Sequence, residues 1–337
     1  MLSDKVLLEV NNLKQYFPIK GGVLGRTVNH VKAVDDISFK VYEGETLSIV
    51  GESGCGKSTT GRSLIRLDEP YAGEVIFEGE NLLKLSKAEM RKKRKDLQII
   101  FQDPYASLNP RQTVYKIIDE ALTIQNIEVK GDRREKIGEL LKTVGLLEHQ
   151  MDLYPHQFSG GQRQRIGIAR ALSVRPKLII CDEAVSALDV SIRAQVLNLL
   201  KDLQRKFKLT YLFISHDLGV VRHISDRIIV MYLGRIMEVS DKKSLFDSPQ
   251  NPYTYALLSS IPSINIDEKK ERIILSGDVP SPINPPTGCP FHTRCPFKFD
   301  RCEKEMPALH KLTDLHSSAC HLVEKGSVDL SQKIRNS

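Results

Sequence analysis

The sequence predicts an α/β fold built around a parallel β-sheet. Two short and almost entirely apolar runs, Lys177–Cys181 and Thr210–Ser215, flank an amphipathic stretch over 190–206. Such runs suit strands that are buried on both faces of a parallel sheet, and the order strand, helix, strand is typical of an α/β core. A third apolar run, Glu45–Val50, leads directly into a glycine-rich turn and then into a helical stretch from about Lys57 to Leu67.

Further elements are predicted on both sides of this core. Strands are expected at 6–10, 37–41 and 74–78, with a glycine-rich loop at 21–25 between the first two. From about 112 to 150 the apolar residues recur at helical spacing, which predicts a region of α-helices.

Length and composition indicate a protein without a membrane span. The chain has 337 residues, of which 41% are hydrophobic and 27% are charged, enough for a large core. No apolar run approaches the roughly 20 residues that a membrane-spanning helix needs. The polar opening from Met1 to Lys5 does not resemble a signal peptide, so a cytosolic location is expected.

The turn after the third apolar run has the pattern of a phosphate-binding loop. Residues 51–58 fit G-x-x-x-x-G-K-[ST] between a predicted strand and a predicted helix, as that motif requires. Glycines let backbone N–H groups curl around phosphate oxygens, and the helix directs the positive end of its dipole at the anion. Lys57 is expected to reach the β- and γ-phosphates and the Ser58 hydroxyl to bind Mg²⁺, while Cys55 is interpreted as packing. The predicted nucleotide-binding residues are Gly51, Glu52, Ser53, Gly54, Cys55, Gly56, Lys57, Ser58 and Thr59.

Two carboxylates and a histidine follow the other apolar runs. Asp182 is expected to hold Mg²⁺, directly or through water, and Glu183 to polarise the attacking water as a general base. His216 follows the strand predicted to end at Ser215, where ligands bind in open α/β folds, and is predicted to contact the γ-phosphate. Together with the loop, these residues predict a site that hydrolyses ATP.

A second glycine-rich segment, Phe158-Ser-Gly-Gly-Gln162, resembles the signature Leu-Ser-Gly-Gly-Gln of the ABC ATPase family. Serine and glycine backbone donors at the start of a helix form another anion site, and one nucleotide does not need two such sites from one chain. The resemblance implies that these residues cap the γ-phosphate of ATP bound to an opposing subunit in a head-to-tail dimer. The residues concerned are Ser159, Gly160, Gly161 and Gln162.

Other positions match the same family in order. The resemblance implies that Gln102 contacts Mg²⁺ and the attacking water, and that Asp189 belongs to the D-loop. It also implies that His216 is the switch histidine and that Tyr16 stacks on adenine, with Phe17 as the other candidate.

The resemblance also implies a domain organisation. The family fold is a P-loop (RecA-like) ATPase core with an antiparallel β subdomain and a helical subdomain, here at about 105–155. Prolines become frequent after about Pro249, which predicts a nucleotide-binding domain over 1–250. The remainder, 251–337, is predicted to be a cysteine-rich C-terminal extension, and this name is kept below.

The C-terminal extension resembles the tail of ATPase subunits from oligopeptide and dipeptide permeases. The similar segments are Asn251–Pro262, Ser281–Pro286 and Gly288–Pro296. The long opening around Asn12–Pro18 resembles the F-type subunit of these motors. The resemblance therefore implies a motor for peptide import, with dipeptide, oligopeptide, nickel or glycoside cargo left open.

Cysteines of the C-terminal extension follow the spacing C-x₅-C-x₆-C-x₁₇-C, namely Cys289, Cys295, Cys302 and Cys320. Four thiolates suit zinc or an iron–sulfur cluster equally by number, although zinc sites usually pair cysteines at C-x₂₋₄-C. In the permease family the matching cysteines hold a [4Fe-4S] cluster, so the resemblance implies a structural cluster, with Zn²⁺ as the alternative. The neighbouring histidines are interpreted as surface residues: His292, His310, His316 and His321.

The resemblance implies several partners. These are a paralogous D-type ATPase subunit as the heterodimer partner, two integral membrane permease subunits, and an extracellular or periplasmic peptide-binding protein. The chain would then lie at the cytoplasmic face of the cell membrane, held there by the permease subunits.

Two other classes of function are compatible with part of the sequence. The formal net charge of +7 suits a polyanion or an anionic membrane surface, so a soluble ABC ATPase acting on nucleic acid is the main alternative. The single phosphate-binding loop, the single signature and the lack of a heptad run count against it. An ABC exporter motor is a third reading, but the tail resembles importers.

Overall fold

The computed structural model describes residues 5–21, 25–129, 131–261, 275 and 277–330. Its β-strands are β1 (Val6–Gly21), β2 (Arg26–Tyr42), β3 (Thr46–Val50), β4 (Ala72–Phe77), β5 (Glu80–Asn81), β6 (Leu97–Ile100), β7 (Leu178–Asp182), β8 (Thr210–Ile214), β9 (Arg227–Tyr232), β10 (Arg235–Asp241), β11 (His310–Lys311) and β12 (Ser317–Ser318). Its α-helices are α1 (Lys57–Leu64), α2 (Lys87–Lys93), α3 (Val114–Ile124), α4 (Arg133–Thr143), α5 (Gly160–Ser173), α6 (Val190–Phe207), α7 (Leu218–Ile224), α8 (Lys242–Asp247), α9 (Pro252–Ser259) and α10 (Asp300–Lys304). Among these helices none is both long and apolar enough to cross a membrane.

The chain divides into two compact units. The first unit consists mainly of Lys84–Ile214 with the short segment Tyr42–Glu45. The second unit contains Leu8–Val41, Thr46–Leu83 and the chain from Ser215 onward.

In the first unit, strands β6, β7 and β8 run parallel with β7 in the middle. Every residue of β7 and β8 is buried, as predicted for strands covered on both faces. Helix α6 connects β7 to β8, and helices α3, α4 and α5 pack against one another. The predicted order of strand, helix and strand over 177–215 is confirmed.

The second unit contains an antiparallel sheet with the strand order β2-β1-β4-β5. In a separate sheet, β3 pairs parallel to β9, while β10 pairs antiparallel to both β9 and β12. The short strand β11 pairs with β12, so the C-terminal extension adds strands to the edge at β10.

The structure extends several predicted elements. Strand β1 covers 16 residues, Val6–Gly21, where only 6–10 was predicted, and β2 begins at Arg26 instead of residue 37. Polar residues alternate with buried ones along both strands because one face of this antiparallel sheet is exposed. Residues 22–24 of the predicted glycine-rich loop lie outside the described residues.

Two histidines of the C-terminal extension are buried, so their interpretation as surface residues was wrong. Nε2 of His316 lies 2.7 Å from Oε1 of Glu238, a carboxylate on β10 with 0% exposure. His321 is also buried, and its ring nitrogens contact Glu324 and the Glu305 carbonyl oxygen. Buried polar groups need hydrogen-bond partners, and ring nitrogens of both histidines have such partners.

Candidate active site

The phosphate-binding loop lies in the second unit, between β3 and α1. Gly51 has φ +152° and Gly56 has φ +100°, and a Cβ at either position would come within 2.2 Å of the Met231 or 2.1 Å of the Ala33 carbonyl oxygen. Only glycine therefore fits these two places. Gly56 has no side chain with which to cap α1, so the helix start can receive a ligand instead.

Lys57 is the first residue of α1 and its side chain folds back along the loop. Its Nζ donates to the carbonyl oxygens of Gly51 and Glu52, at 2.9 Å in both cases. It also lies 3.8 Å from Sγ of Cys55, a thiol whose pKa is raised by burial. The ammonium group is thus held within the curve of the loop, which suits contact with phosphate oxygens.

The acidic pair lies in the first unit at the end of β7. Asp182 is buried as the last residue of the strand, whereas Glu183 leaves it with φ +48°. A positive φ is uncommon for a residue with a side chain, and such conformations cluster at functional sites. Oε2 of Glu183 accepts a hydrogen bond of 3.0 Å from Nε2 of Gln102. The structure therefore brings two predicted site residues into contact.

The signature segment begins helix α5 in the first unit. Ser159 is the N-cap residue: its Oγ accepts from the Gln162 N–H, and Oε1 of Gln162 accepts from the Ser159 N–H. A Cβ on Gly161 would lie 2.3 Å from a methyl group of Ile192, so this glycine allows α5 to approach α6. The segment is a capped helix start with Ser159 exposed.

Tyr16 of β1 is already in contact with a second aromatic ring. It stacks on Tyr71, with ring centroids 4.8 Å apart, and its hydroxyl donates to Asp35 at 2.5 Å. Asp35 also accepts from Arg235, and burial together with Asp35 raises the pKa of Tyr16. The partner ring, Tyr71, was not predicted.

The remaining predicted residues lie at element boundaries. His216 is exposed between β8 and α7, and Asp189 is exposed immediately before α6. Ser58 and Thr59, in the first turn of α1, are partly exposed. Ser53 and Gly54 form the exposed tip of the loop.

Sequence patterns did not identify two residues of the C-terminal extension that contact the loop. Arg294 bonds the Glu52 carboxylate, and the Tyr253 hydroxyl accepts the Glu52 N–H. Both residues lie in segments singled out above only for their resemblance to permease tails. That resemblance was the one available signal, because contacts between residues about 200 positions apart leave no local pattern.

The four cysteines of the C-terminal extension line one small cavity, and all six cysteines of the chain are free thiols. Apolar neighbours of this cavity include Met237 and Phe291. Burial raises the pKa of Cys289 to about 11 and the pKa values of Cys295 and Cys320 to about 12. Within the described residues, no group of three or more Cys, His, Asp or Glu side chains is arranged to hold a metal ion.

A phosphate-binding loop, an acidic strand end and a second glycine-rich helix start define an ATPase of the P-loop class. Comparison with known families agrees with this. A family model described as ABC transporter matches residues 34–186, and another described as Oligopeptide/dipeptide transporter, C-terminal region, matches residues 237–302.

Curated relatives match over nearly the full length. Oligopeptide transport ATP-binding protein AppF of Bacillus subtilis is 55% identical over 323 residues, which are 95% of this chain and 98% of the relative. The putative oligopeptide transport ATP-binding protein YkfD of the same species is 51% identical over 332 residues, 98% of each chain.

A solved structure of the ATP-binding cassette MJ0796, a dimer bound to ADP and Pi in a post-hydrolysis state, is also similar. It is 30% identical with a TM-score of 0.62, and the match covers 70% of this chain and 98% of that one. The chain belongs to the ABC transporter ATPase family, in the group of ATP-binding subunits that carry the oligopeptide/dipeptide transporter C-terminal region.

Proposed function

We propose that this chain binds and hydrolyses ATP as one of two motor subunits of a transporter that imports peptides. The observation that carries the proposal is a pair of glycine-rich helix starts in one chain, a lysine-bearing one at α1 and a capped one at α5. The relatives named for oligopeptide transport support peptides as the cargo.

The loop before α1 would bind the phosphates of MgATP. Lys57 would leave the loop carbonyls for the β- and γ-phosphates, since these oxygens carry more negative charge. The Mg²⁺ ion would be held by oxygens of Ser58, Gln102 and Asp182, and oxygen donors of this kind are those that Mg²⁺ prefers. Tyr16 would stack on the adenine ring.

Hydrolysis would be started by Glu183, which takes a proton from the attacking water. The hydrogen bond from Gln102 to Glu183 orients that carboxylate and supports this role. His216 would contact the γ-phosphate. The chemistry of phosphoryl transfer needs mainly positioning and electrostatic stabilisation, and these groups would supply one side of the site.

The second helix start would act on the ATP of an opposing subunit. The backbone donors at Ser159–Gln162 would cap the γ-phosphate across a head-to-tail dimer, and Asp189 would belong to the D-loop at the same interface. The dimeric state of MJ0796 supports this arrangement. A paralogous D-type ATPase is the proposed partner, rather than a second copy of this chain.

Closure of that dimer would drive the membrane part of the transporter. The movement would pass through Gln102 and the helical subdomain at about 105–155 to two permease subunits, which open toward an external peptide-binding protein. The chain would be a peripheral subunit at the cytoplasmic face of the membrane.

Uptake by intact cells tests the cargo. A strain that lacks this subunit is expected to lose the uptake of labelled di- and oligopeptides and to regain it when the chain is supplied on a plasmid. Normal peptide uptake with a loss of Ni²⁺ uptake would identify another cargo. Copurification with RNA or DNA instead of integral membrane proteins would contradict a transport role.

We propose that the four-cysteine cavity holds a [4Fe-4S] cluster, with a zinc ion as the alternative. A tetrahedral zinc ion with Zn–S distances of about 2.3 Å would draw four thiolates to one point. Here the four thiols share one cavity whose wall also includes apolar side chains, and this shared lining, together with the resemblance to the permease tails, supports the proposal of a common ligand. A [4Fe-4S] cluster held by Cys289, Cys295, Cys302 and Cys320 would link distant parts of a segment that has little regular structure.

Metal content tests this proposal directly. Protein purified without oxygen is expected to be brown and to contain iron and sulfide in equal amounts, and Cys302→Ser to lose most of both. Cys181→Ala is the matched control, because it removes a buried thiol from β7 and is expected to keep the iron. Colourless protein with one equivalent of zinc would show that the site holds zinc instead of a cluster. Protein without metal would contradict both proposals.

A further inference from the structure

The C-terminal extension contacts the phosphate-binding loop at Glu52. Nη1 of Arg294 donates to Oε2 of Glu52 at 2.6 Å, and Nη2 donates to Oε1 at 3.1 Å. The Glu52 N–H donates to the hydroxyl of Tyr253 at 2.9 Å. The same glutamate is thus held at its side chain and at its backbone by residues of the C-terminal extension.

The ion pair between Arg294 and Glu52 is largely shielded from water and packs on aromatic rings. The Arg294 side chain is 7% exposed and that of Glu52 is 25% exposed, so this is no ordinary surface ion pair. A two-point bond between a guanidinium and a carboxylate fixes orientation as well as charge. Beneath it, the rings of Tyr232, Tyr253 and Phe291 pack with centroids 4.8 to 5.4 Å apart.

Glu52 in turn contacts the lysine of the loop. Its carbonyl oxygen accepts from Nζ of Lys57 at 2.9 Å. The three polar groups of Glu52 therefore have separate partners: Tyr253 for the N–H, Arg294 for the carboxylate and Lys57 for the carbonyl. A shift of Arg294 or Tyr253 would move the carbonyl group that contacts the ammonium group of Lys57.

The positive charge of Arg294 is expected to favour ATP binding in a second way. The loop is built to receive a polyanion, and the Glu52 carboxylate lies within it. Arg294 neutralises this carboxylate, and its loss would leave a negative charge, little exposed to water, next to the phosphates. Loosening of the loop and repulsion of the phosphates act in the same direction, against ATP binding.

We propose that Arg294 and Tyr253 of the C-terminal extension are positioning residues for ATP. Acting through Glu52, they hold the first turn of the phosphate-binding loop and the position from which Lys57 reaches the phosphates. The proposal rests on the nucleotide-binding role of this loop given above. These residues of the C-terminal extension would then contribute to ATP binding as well as to the packing of the extension itself.

Equilibrium binding to the full-length chain tests the proposal without requiring hydrolysis or a partner. Arg294→Gln is expected to weaken the binding of MgATP and MgADP about tenfold, while adenosine binding stays unchanged because adenosine carries no phosphate. Arg294→Lys restores the charge without the two-point geometry and is expected to recover part of the loss. Tyr253→Phe removes only the acceptor of the Glu52 N–H and is expected to weaken both nucleotides by a smaller factor.

Arg301→Gln is the matched control. Arg301 belongs to the same extension and also bonds two carboxylates, those of Glu305 and Glu324, but it does not touch the loop. Its replacement is expected to leave nucleotide affinity unchanged. An equal loss in Arg301→Gln, or an equal loss of adenosine binding in Arg294→Gln, would reduce Arg294 to a general structural role and overturn the proposal.

A double-variant cycle distinguishes the effect of the Arg294–Glu52 pair from that of a general loss of folding. Glu52→Gln removes the carboxylate charge. The double variant is expected to lose clearly less nucleotide affinity than the sum of the losses in Glu52→Gln and Arg294→Gln. Full additivity, or wild-type affinity in every variant, would overturn this proposal alone. Failure of the wild-type chain itself to bind MgATP would instead overturn the proposed nucleotide site.

Discussion

Lys57→Ala is expected to abolish productive ATP binding. Lys57 is the only cationic residue of the loop sequence 51–59, its side chain is buried, and its Nζ lies within the curve of the loop. Two or three charge-assisted hydrogen bonds to the phosphates would be lost, at about 1.5–3 kcal/mol each, so affinity is expected to fall by about a hundredfold or more. Equilibrium titration of the full-length chain with MgATP measures this change.

Lys40→Ala is the control for that experiment. Lys40 lies in the same unit and pairs with Glu9 on an exposed surface, so its replacement removes an equal charge without altering the loop. It is expected to keep wild-type affinity and a normal unfolding midpoint. Unchanged affinity in Lys57→Ala would contradict the assignment of the nucleotide site to this loop.

Glu183→Gln is expected to bind MgATP normally and to stop turnover. The amide keeps the shape of the side chain and still accepts the hydrogen bond from Gln102, but it cannot take a proton from water. Loss of a general base costs roughly a hundredfold to ten-thousandfold in rate. ATPase assays on the assembled transporter, together with its subunit association in ATP, would detect a closed dimer that no longer hydrolyses.

Glu120→Gln provides a control with the same chemistry. In that pair Nε2 of Gln112 donates to Oε2 of Glu120 at 3.0 Å, the same arrangement as Gln102 and Glu183, and both residues lie in the first unit. The variant is expected to hydrolyse ATP at the wild-type rate. Hydrolysis near the normal rate in Glu183→Gln would show that another group is the base, and His216 would be tested next.

The elements around the site were predictable because they depend on local sequence. The fully apolar run before Asp182 is typical of a strand buried on both faces of a sheet, and the structure places it in the middle of three parallel strands. The glycines at 51 and 56 mark places where a carbonyl oxygen leaves no room for a Cβ. In both cases the residue type itself carries the structural requirement.

Other features depend on partners that are distant in the chain. The sequence did not predict these features, or predicted them wrongly. The burial of His316 depends on Glu238, and the ring that stacks on Tyr16 is Tyr71. The bond from Arg294 to Glu52 spans 242 positions. Neither member of such a pair has a neighbouring pattern that identifies the other, so these contacts required the folded chain.

Glu238 has a consequence for the order in which the chain can complete its fold. Its carboxylate, 0% exposed on β10, accepts the N–H groups of Gln250 and Asn251 and contacts His316. During synthesis, Glu238 leaves the ribosome 78 residues before His316 does, so the edge beyond Glu238 stays open to water until His316 has been made. We therefore expect this edge of the second unit to be covered only after His316 has been synthesised, and a nascent chain interrupted near residue 300 to expose it.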